Sequence, residues 1–205
     1  MKNSDIIVNY LDELFPNPKC ELEYSKDYEL LIAVMLSAQT KDSRVNEVTR
    51  VLYKKYPNIE ALSRADINDV KLIIKSIGTY NIKALNVIEI SKRLLHDYNG
   101  QVPNNREYLE SLPGVGHKTV NVVLSMLFDH PCFAVDTHVK RVSTRLKIAS
   151  SNDSLIDIEN KLTRYFKNYK INRLHHQFVL FGRYYCKAIN PQCQDCKLKN
   201  ICIKK

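Results

Sequence analysis

Apolar positions recur at helical spacing along the whole chain. Over residues 3–15, Ile6, Ile7, Tyr10, Leu11, Leu14 and Phe15 fall at intervals of three and four, and Pro16 ends the run, which predicts an amphipathic first helix. Residues 28–38 (YELLIAVMLSA) are apolar almost all round, as in a helix buried at the centre of an all-α domain, and polar Gln39, Thr40, Lys41 and Asp42 close it. Further helices are predicted at 43–56, ending at Pro57, at 66–76, ending near Gly78, at 81–98, ending near Gly100, and at 105–111. The tight turn Leu112-Pro113-Gly114-Val115-Gly116 then leads into an apolar helix from His117 to about Phe128. After His130-Pro131 a short extended piece, residues 132–135, reaches Asp136, and helices at 137–147, 154–168 and 171–186 follow. No segment alternates with the period of two that marks a half-buried strand, so the fold class is all-α.

The 205 residues are enough for one large domain or two small ones, and 44% hydrophobic with 26% charged residues excludes disordered and fibrous classes. No stretch approaches the roughly 20 apolar residues of a membrane helix, and the N-terminal MKNSDIIVNYLDELF carries acids where a signal peptide is apolar. A cytoplasmic protein with no membrane association, and a monomer, is expected. Charge adds a partner. The net of +9 is concentrated at the C-terminal end, where residues 161–205 hold 11 Lys and Arg against one acid, Asp195. Such a basic region suits a polyanion, most simply nucleic acid, because neutralising phosphates releases counterions; a solvated lysine-rich face is the alternative.

Cysteines are equally lopsided: Cys186, Cys193, Cys196 and Cys202 fall within 17 residues, whereas Cys20 and Cys132 stand alone. In a cytoplasmic protein this grouping argues for metal rather than disulfides. The turn at 112–116 is a second candidate. Backbone N–H groups at the start of the helix that follows lack intrahelical partners and suit phosphate oxygens, with glycines 114 and 116 permitting a left-handed backbone and a close approach. A plain helix–turn–helix corner is the other reading. A nucleotide phosphate loop is not, because His117 separates Gly116 from Lys118 and no buried strand precedes the turn.

Lys118 falls in the first helical turn, where the positive end of the helix dipole and partial burial both disfavour an ammonium, leaving a nucleophilic amine or, alternatively, a phosphate-binding cation. Asp136 is a candidate partner, since a helix from 118 to 128 climbs roughly 16 Å and extended residues 131–136 can return nearly 20 Å. It is equally placed to cap the helix beginning at Thr137.

Leu112-Pro113-Gly114-Val115-Gly116-His117-Lys118-Thr119, then Ala134-Val135-Asp136-Thr137-His138, then Cys-x6-Cys-x2-Cys-x5-Cys, together with Ser37-Ala38-Gln39-Thr40 and the Gly78–Ala84 loop, closely resemble the endonuclease III family of DNA repair glycosylases. The resemblance spans nearly the whole chain. It implies a helix-hairpin-helix DNA glycosylase fold, with a six-helix barrel domain over 22–132 and an iron-sulfur cluster domain made of 1–21 and 133–205, DNA lying across the cleft between them. It implies a bifunctional glycosylase and abasic-site lyase acting on double-stranded DNA that carries damaged pyrimidines or abasic sites. Lys118 and Asp136 are the implied catalytic residues, and Gln39, Thr79, Leu112, Gly114, Gly116, His138, Arg183 and Lys187 the implied DNA contacts. Gln39 matches the residue that fills the gap left by the flipped base. Thr79 stands where the family carries a leucine wedge, so that Ile77 or Tyr80 takes part or the wedge is weaker. Cys186, Cys193, Cys196 and Cys202 are the implied ligands of a [4Fe–4S] cluster, with zinc the alternative from spacing alone. Three further functions remain in view: a mismatch thymine or uracil glycosylase, a non-enzymatic damage-binding module, and a ferredoxin-like electron carrier. Lys118 and Asp136 together weigh against the second, and the basic tail and large helical body against the third.

Overall fold

A computed structural model of the chain describes residues 2–203. The helices are α1 (Asn3–Leu14), α2 (Asp27–Leu36), α3 (Asp42–Lys55), α4 (Ile59–Ser63), α5 (Ile67–Ile73), α6 (Tyr80–Tyr98), α7 (Arg106–Ser111), α8 (His117–Phe128), α9 (Thr137–Arg145), α10 (Leu155–Tyr165) and α11 (Ile171–Leu180). A π-helical turn, Phe181–Tyr185, and a 3₁₀ turn, Lys199–Ile201, follow, and no strand occurs among the described residues. The chain divides into two compact units, Cys20–Phe128 and Met1–Lys19 joined with Asp129–Lys205. No helix among the described residues is long and apolar enough to cross a membrane.

Helix α2 is the axis of the first unit, with every residue from Tyr28 to Leu36 buried against neighbours that include α3, α6 and α8. Its apolar run from Leu30 to Leu36 follows from that position, since truncating any such leucine to alanine costs about 2–5 kcal/mol. The buried acid is accounted for locally: Glu29 Oε2 accepts from the backbone N–H groups of Ser25 (2.7 Å) and Lys26 (3.2 Å), donors that the first turn leaves unpaired. Side-chain caps start the shorter helices, Asn58 accepting from Ala61 N, Asp66 from Asn68 and Asp69 N, and Asn105 from Tyr108 N. The short α4 packs along α6 and was not predicted, because five residues carry too little periodicity to announce a helix.

The second unit has its own core, in which Ile7, Leu11, Phe133, Val139, Phe166 and Phe178 are fully buried. Phe133 comes from the extended segment and meets Phe178 edge-on at 5.6 Å and Phe166 at 6.3 Å between ring centroids. Residues 132–135 are all buried, so the chain enters Asp136 from an anchored segment. The helix expected over 171–186 is α-helical only to Leu180; the following π turn sets Gly182 so close to α9 that a Cβ there would lie 2.8 Å from His138 Cβ.

Candidate active site and cysteine centre

In the first unit, α7 and α8 flank the glycine turn. Arg93 on α6 holds the end of α7, its Nη1 donating to Ser111 O and its Nη2 to Ser111 Oγ, both at 2.8 Å. Arg106 Nη2 donates to Asn121 Oδ1 (2.8 Å), which ties α7 to α8 beneath the turn. Leu112 and Val115 are 2% and 4% exposed and plug the turn into the core. Leu112 therefore bears on any DNA contact by fixing where the glycines sit rather than by presenting its own side chain. Gly114 has φ +75°, and a Cβ there would stand 2.4 Å from Asn86 Nδ2 on α6. Gly116 differs: an added Cβ meets no protein atom within 4 Å and its φ is not positive, so of the two glycines expected to need a left-handed backbone only Gly114 adopts it.

Lys118 sits in the first turn of α8 and is exposed, a correction to the partial burial expected of it. Gln39 and Thr79 are exposed at two turns of the same unit, each with left-handed backbone, φ +58° and +56°. Thr79 Oγ1 donates to Gly78 O at 2.6 Å. Ile77 is 1% exposed and belongs to the core, which removes it as a substitute wedge, while Tyr80 packs half-buried against that core.

In the second unit, Asp136 precedes α9 and its Oδ1 accepts from Val139 N at 2.8 Å, so the capping reading is realised. Two residues on, His138 Nδ1 faces Arg141 Nη2 at 3.1 Å; because a guanidinium only donates, this nitrogen is the acceptor. Arg141 Nε also donates to Cys186 O (2.9 Å), and Arg145 Nη1 to Cys186 O (3.2 Å), Cys186 Sγ (3.2 Å) and Lys187 O (2.8 Å). Sequence reasoning missed this pair. Their i, i+4 spacing on α9 is visible in the sequence, but what they reach, 41 to 45 residues away, is not. Arg183 is half-buried in the π turn, and Lys187 is exposed just beyond it.

Cys186, Cys193, Cys196 and Cys202, none in a disulfide, line one cavity of about 30 Å³ together with apolar atoms of Leu146, Phe181, Tyr185 and Leu198. Burial pushes the Cys196 thiol up, and the neighbouring Cys186, Cys202 and Cys193 push the same way. Among the described residues no three His, Cys, Asp or Glu side chains converge on a point as a single ion requires. The four free cysteines nevertheless share one apolar cavity, and an all-sulfur donor set suits either an iron–sulfur cluster or a four-cysteine zinc site.

Residues 32–168 match the model of the HhH-GPD superfamily of base excision DNA repair proteins. Over 202 residues the chain is 43% identical to endonuclease III of Bacillus subtilis (strain 168), covering 98% of this chain and 92% of that relative. It superposes with a TM-score of 0.89, at 40% identity, on the structure of a trapped endonuclease III–DNA covalent intermediate, covering 99% of this chain and 96% of that one. A thermostable thymine-DNA glycosylase superposes with a TM-score of 0.86 at 22% identity, covering 98% and 95%, a likeness of fold alone. A lysine on the helix after the glycine turn, an aspartate capping the next, and four cysteines around one cavity thus lie in an all-α helix-hairpin-helix glycosylase fold, and the chain belongs to the endonuclease III family of the HhH-GPD superfamily.

Proposed function

We infer that this protein is a bifunctional DNA glycosylase and abasic-site lyase of base excision repair, acting on oxidised pyrimidines in duplex DNA. The observation that carries the reading is Lys118 itself, an exposed amine in the first turn of α8 beside an open glycine, in a chain 43% identical to an endonuclease III. Phosphate binding alone needs no lysine at this position, because the N–H groups of the turn already supply it.

The glycosidic carbon is inaccessible inside a base stack, so the damaged nucleotide must be flipped out. Neutral Lys118 Nζ then attacks C1′ while the C1′–N bond breaks, and the base leaves with its electron pair and takes up a proton. Sugar ring opening yields an imine between Nζ and C1′. Loss of the C2′ proton expels the 3′ phosphate and nicks the strand, and water releases the lysine. Asp136, while capping α9, stabilises the cationic sugar and accepts protons.

Gln39 fills the space vacated by the flipped nucleotide, and the Thr79 turn wedges the duplex with a shorter group than leucine. Gly114, Gly116, His138, Arg183 and Lys187 bind the DNA backbone, with Leu112 bracing the turn. Residues 22–132 form the six-helix barrel and residues 1–21 with 133–205 the cluster domain, a division supported by the two separate cores. Cys186, Cys193, Cys196 and Cys202 would hold a [4Fe–4S] cluster. Glycosidic cleavage transfers no electrons, so the chemistry such a group would supply there is a cross-link between these cysteines, which would fix residues 187–192. The protein works in the cytoplasm with the DNA.

The test is a panel of duplexes carrying thymine glycol, a preformed abasic site, a G·T mismatch or uracil. The expected outcome is excision and a nick at thymine glycol and a nick at the abasic site, both lost in Lys118→Ala. Activity confined to the mismatch or uracil would transfer the assignment to a thymine or uracil glycosylase.

A further inference from the structure

Lys83 lies near the start of α6 yet is only 6% exposed. It shares the buried face of that helix with Ala84, Val87, Ile90 and Leu94, so an ammonium occupies a position the helix otherwise reserves for apolar groups. A buried ammonium stripped of water needs acceptors. Its Nζ donates to Leu36 O at 2.8 Å and to Ala38 O at 2.7 Å. Leu36 ends α2, and carbonyls at a helix C-terminus have no intrahelical donors and carry the negative end of the dipole. Lys83 is thus a C-terminal cap for α2 supplied from another helix.

The next residue after Ala38 is Gln39, held at φ +58°, a conformation costing a non-glycine residue about 1–2 kcal/mol. Further hydrogen bonds in its turn run from Ser37 Oγ to Val34 O (2.8 Å), Ala38 N to Met35 O (3.4 Å), Thr40 N to Ser37 O (3.0 Å) and Thr40 Oγ1 to Ala38 O (3.4 Å). On its other side Lys83 is joined to the second exposed turn, its backbone N–H donating to Thr79 O at 3.1 Å. One residue therefore connects two left-handed turns, and both present an exposed polar side chain. Water can cap an exposed helix end, and burying a charge is a costly substitute. What the ammonium adds is a charged donor on Ala38 O at 2.7 Å, shorter than the 3.4 Å contact from Thr40 Oγ1 within the turn.

We propose that Lys83 is a positioning residue for duplex intercalation: by holding the Leu36 and Ala38 carbonyls it sets Gln39 in register with the Thr79 turn, so that both enter the DNA together where the nucleotide leaves. The inference rests on the reading of Gln39 as the residue that fills the gap.

A double-mutant cycle of Lys83→Met and Gln39→Ala tests it, with single-turnover excision on a thymine glycol duplex and fluorescence of 2-aminopurine placed opposite the lesion as readouts. Each single variant is expected to slow excision at least about threefold and to reduce the fluorescence change on binding, and Lys83→Met is expected to add nothing in the Gln39→Ala background. Additive slowing, or wild-type rate and fluorescence in Lys83→Met while Gln39→Ala is slow, overturns the role of Lys83 and leaves Gln39 intact. Wild-type behaviour of Gln39→Ala refutes the gap-filling reading and the inference with it. Circular dichroism melting shows whether Lys83→Met folds; if not, Lys83→Arg, whose broad planar head must displace the two carbonyls, takes its place with the same expected outcomes.

Discussion

Gly114 and Gly116 sit two residues apart in one turn, yet alanine is expected to act on them in opposite ways. At Gly114 the backbone is left-handed (φ +75°), which costs alanine about 1–2 kcal/mol. Its Cβ would also stand 2.4 Å from Asn86 Nδ2, the mobile end of a side chain, and displacing that amide from its rotamer costs about 0.5–1.5 kcal/mol more. A loss of about 2–3 kcal/mol corresponds to roughly 4–12 °C in melting temperature for a chain of this size. At Gly116 no protein atom lies within 4 Å of the added carbon. Reduced unfolded-state entropy favours alanine there by about 0.4–1 kcal/mol, while a poorer N-cap preference opposes it, so stability should change by less than about 1 kcal/mol.

DNA binding should show the reverse emphasis. If a phosphate approaches the N–H groups at Gly116, the methyl displaces it and removes a charge-assisted hydrogen bond of about 1.5–3 kcal/mol, which is roughly 10- to 150-fold in affinity. No lysine or arginine is lost, so the slope of log affinity against log salt should stay as in wild type. Thermal melting, and fluorescence anisotropy on a duplex with a non-cleavable abasic analogue at several salt concentrations, measure both effects. A stable Gly116→Ala protein with wild-type affinity would refute the hairpin as a phosphate site, and an undiminished melting temperature in Gly114→Ala would refute the strain argument.

Asp136→Asn should keep the cap on α9 and melt near wild type yet lose at least about 100-fold in single-turnover excision, whereas Asp136→Ala should lose activity and about 1 kcal/mol of stability; equal activity of Asn and wild type would remove the carboxylate from the chemistry. Thr79→Leu should speed excision by strengthening the wedge, and an unchanged rate and product would show that strand separation does not limit this enzyme. Cys193→Ser should lower bound iron and the melting temperature of the folded protein, since metal binding is coupled to folding, and full iron content would exclude Cys193 as a ligand.

Much of this organisation was legible in the chain because it rests on local patterns. The apolar stripe of α1, the all-round apolar α2 and the prolines and glycines between helices mark the elements, and the grouping of four cysteines in sequence anticipates the cavity they line together. What escaped depends on distance or on fine backbone geometry. Apolar periodicity does not separate the last turn of α11 from the π turn after it, which is set by the approach of Gly182 to His138. Burial of Leu112 and Ile77 and exposure of Lys118 are outcomes of packing between helices. Lys83 reads in sequence as an ordinary helical lysine, and only the carbonyls it meets 45 to 47 residues away distinguish it.

Borohydride trapping on a duplex with a single thymine glycol, run beside Lys118→Ala, bears most directly on the chemistry. A covalent protein–DNA adduct with the wild type and none with Lys118→Ala is expected, because only the imine at C1′ is reduced to a stable amine. Excision of the lesion by wild type without any adduct, or an adduct that persists in Lys118→Ala, would contradict Lys118 as the nucleophile.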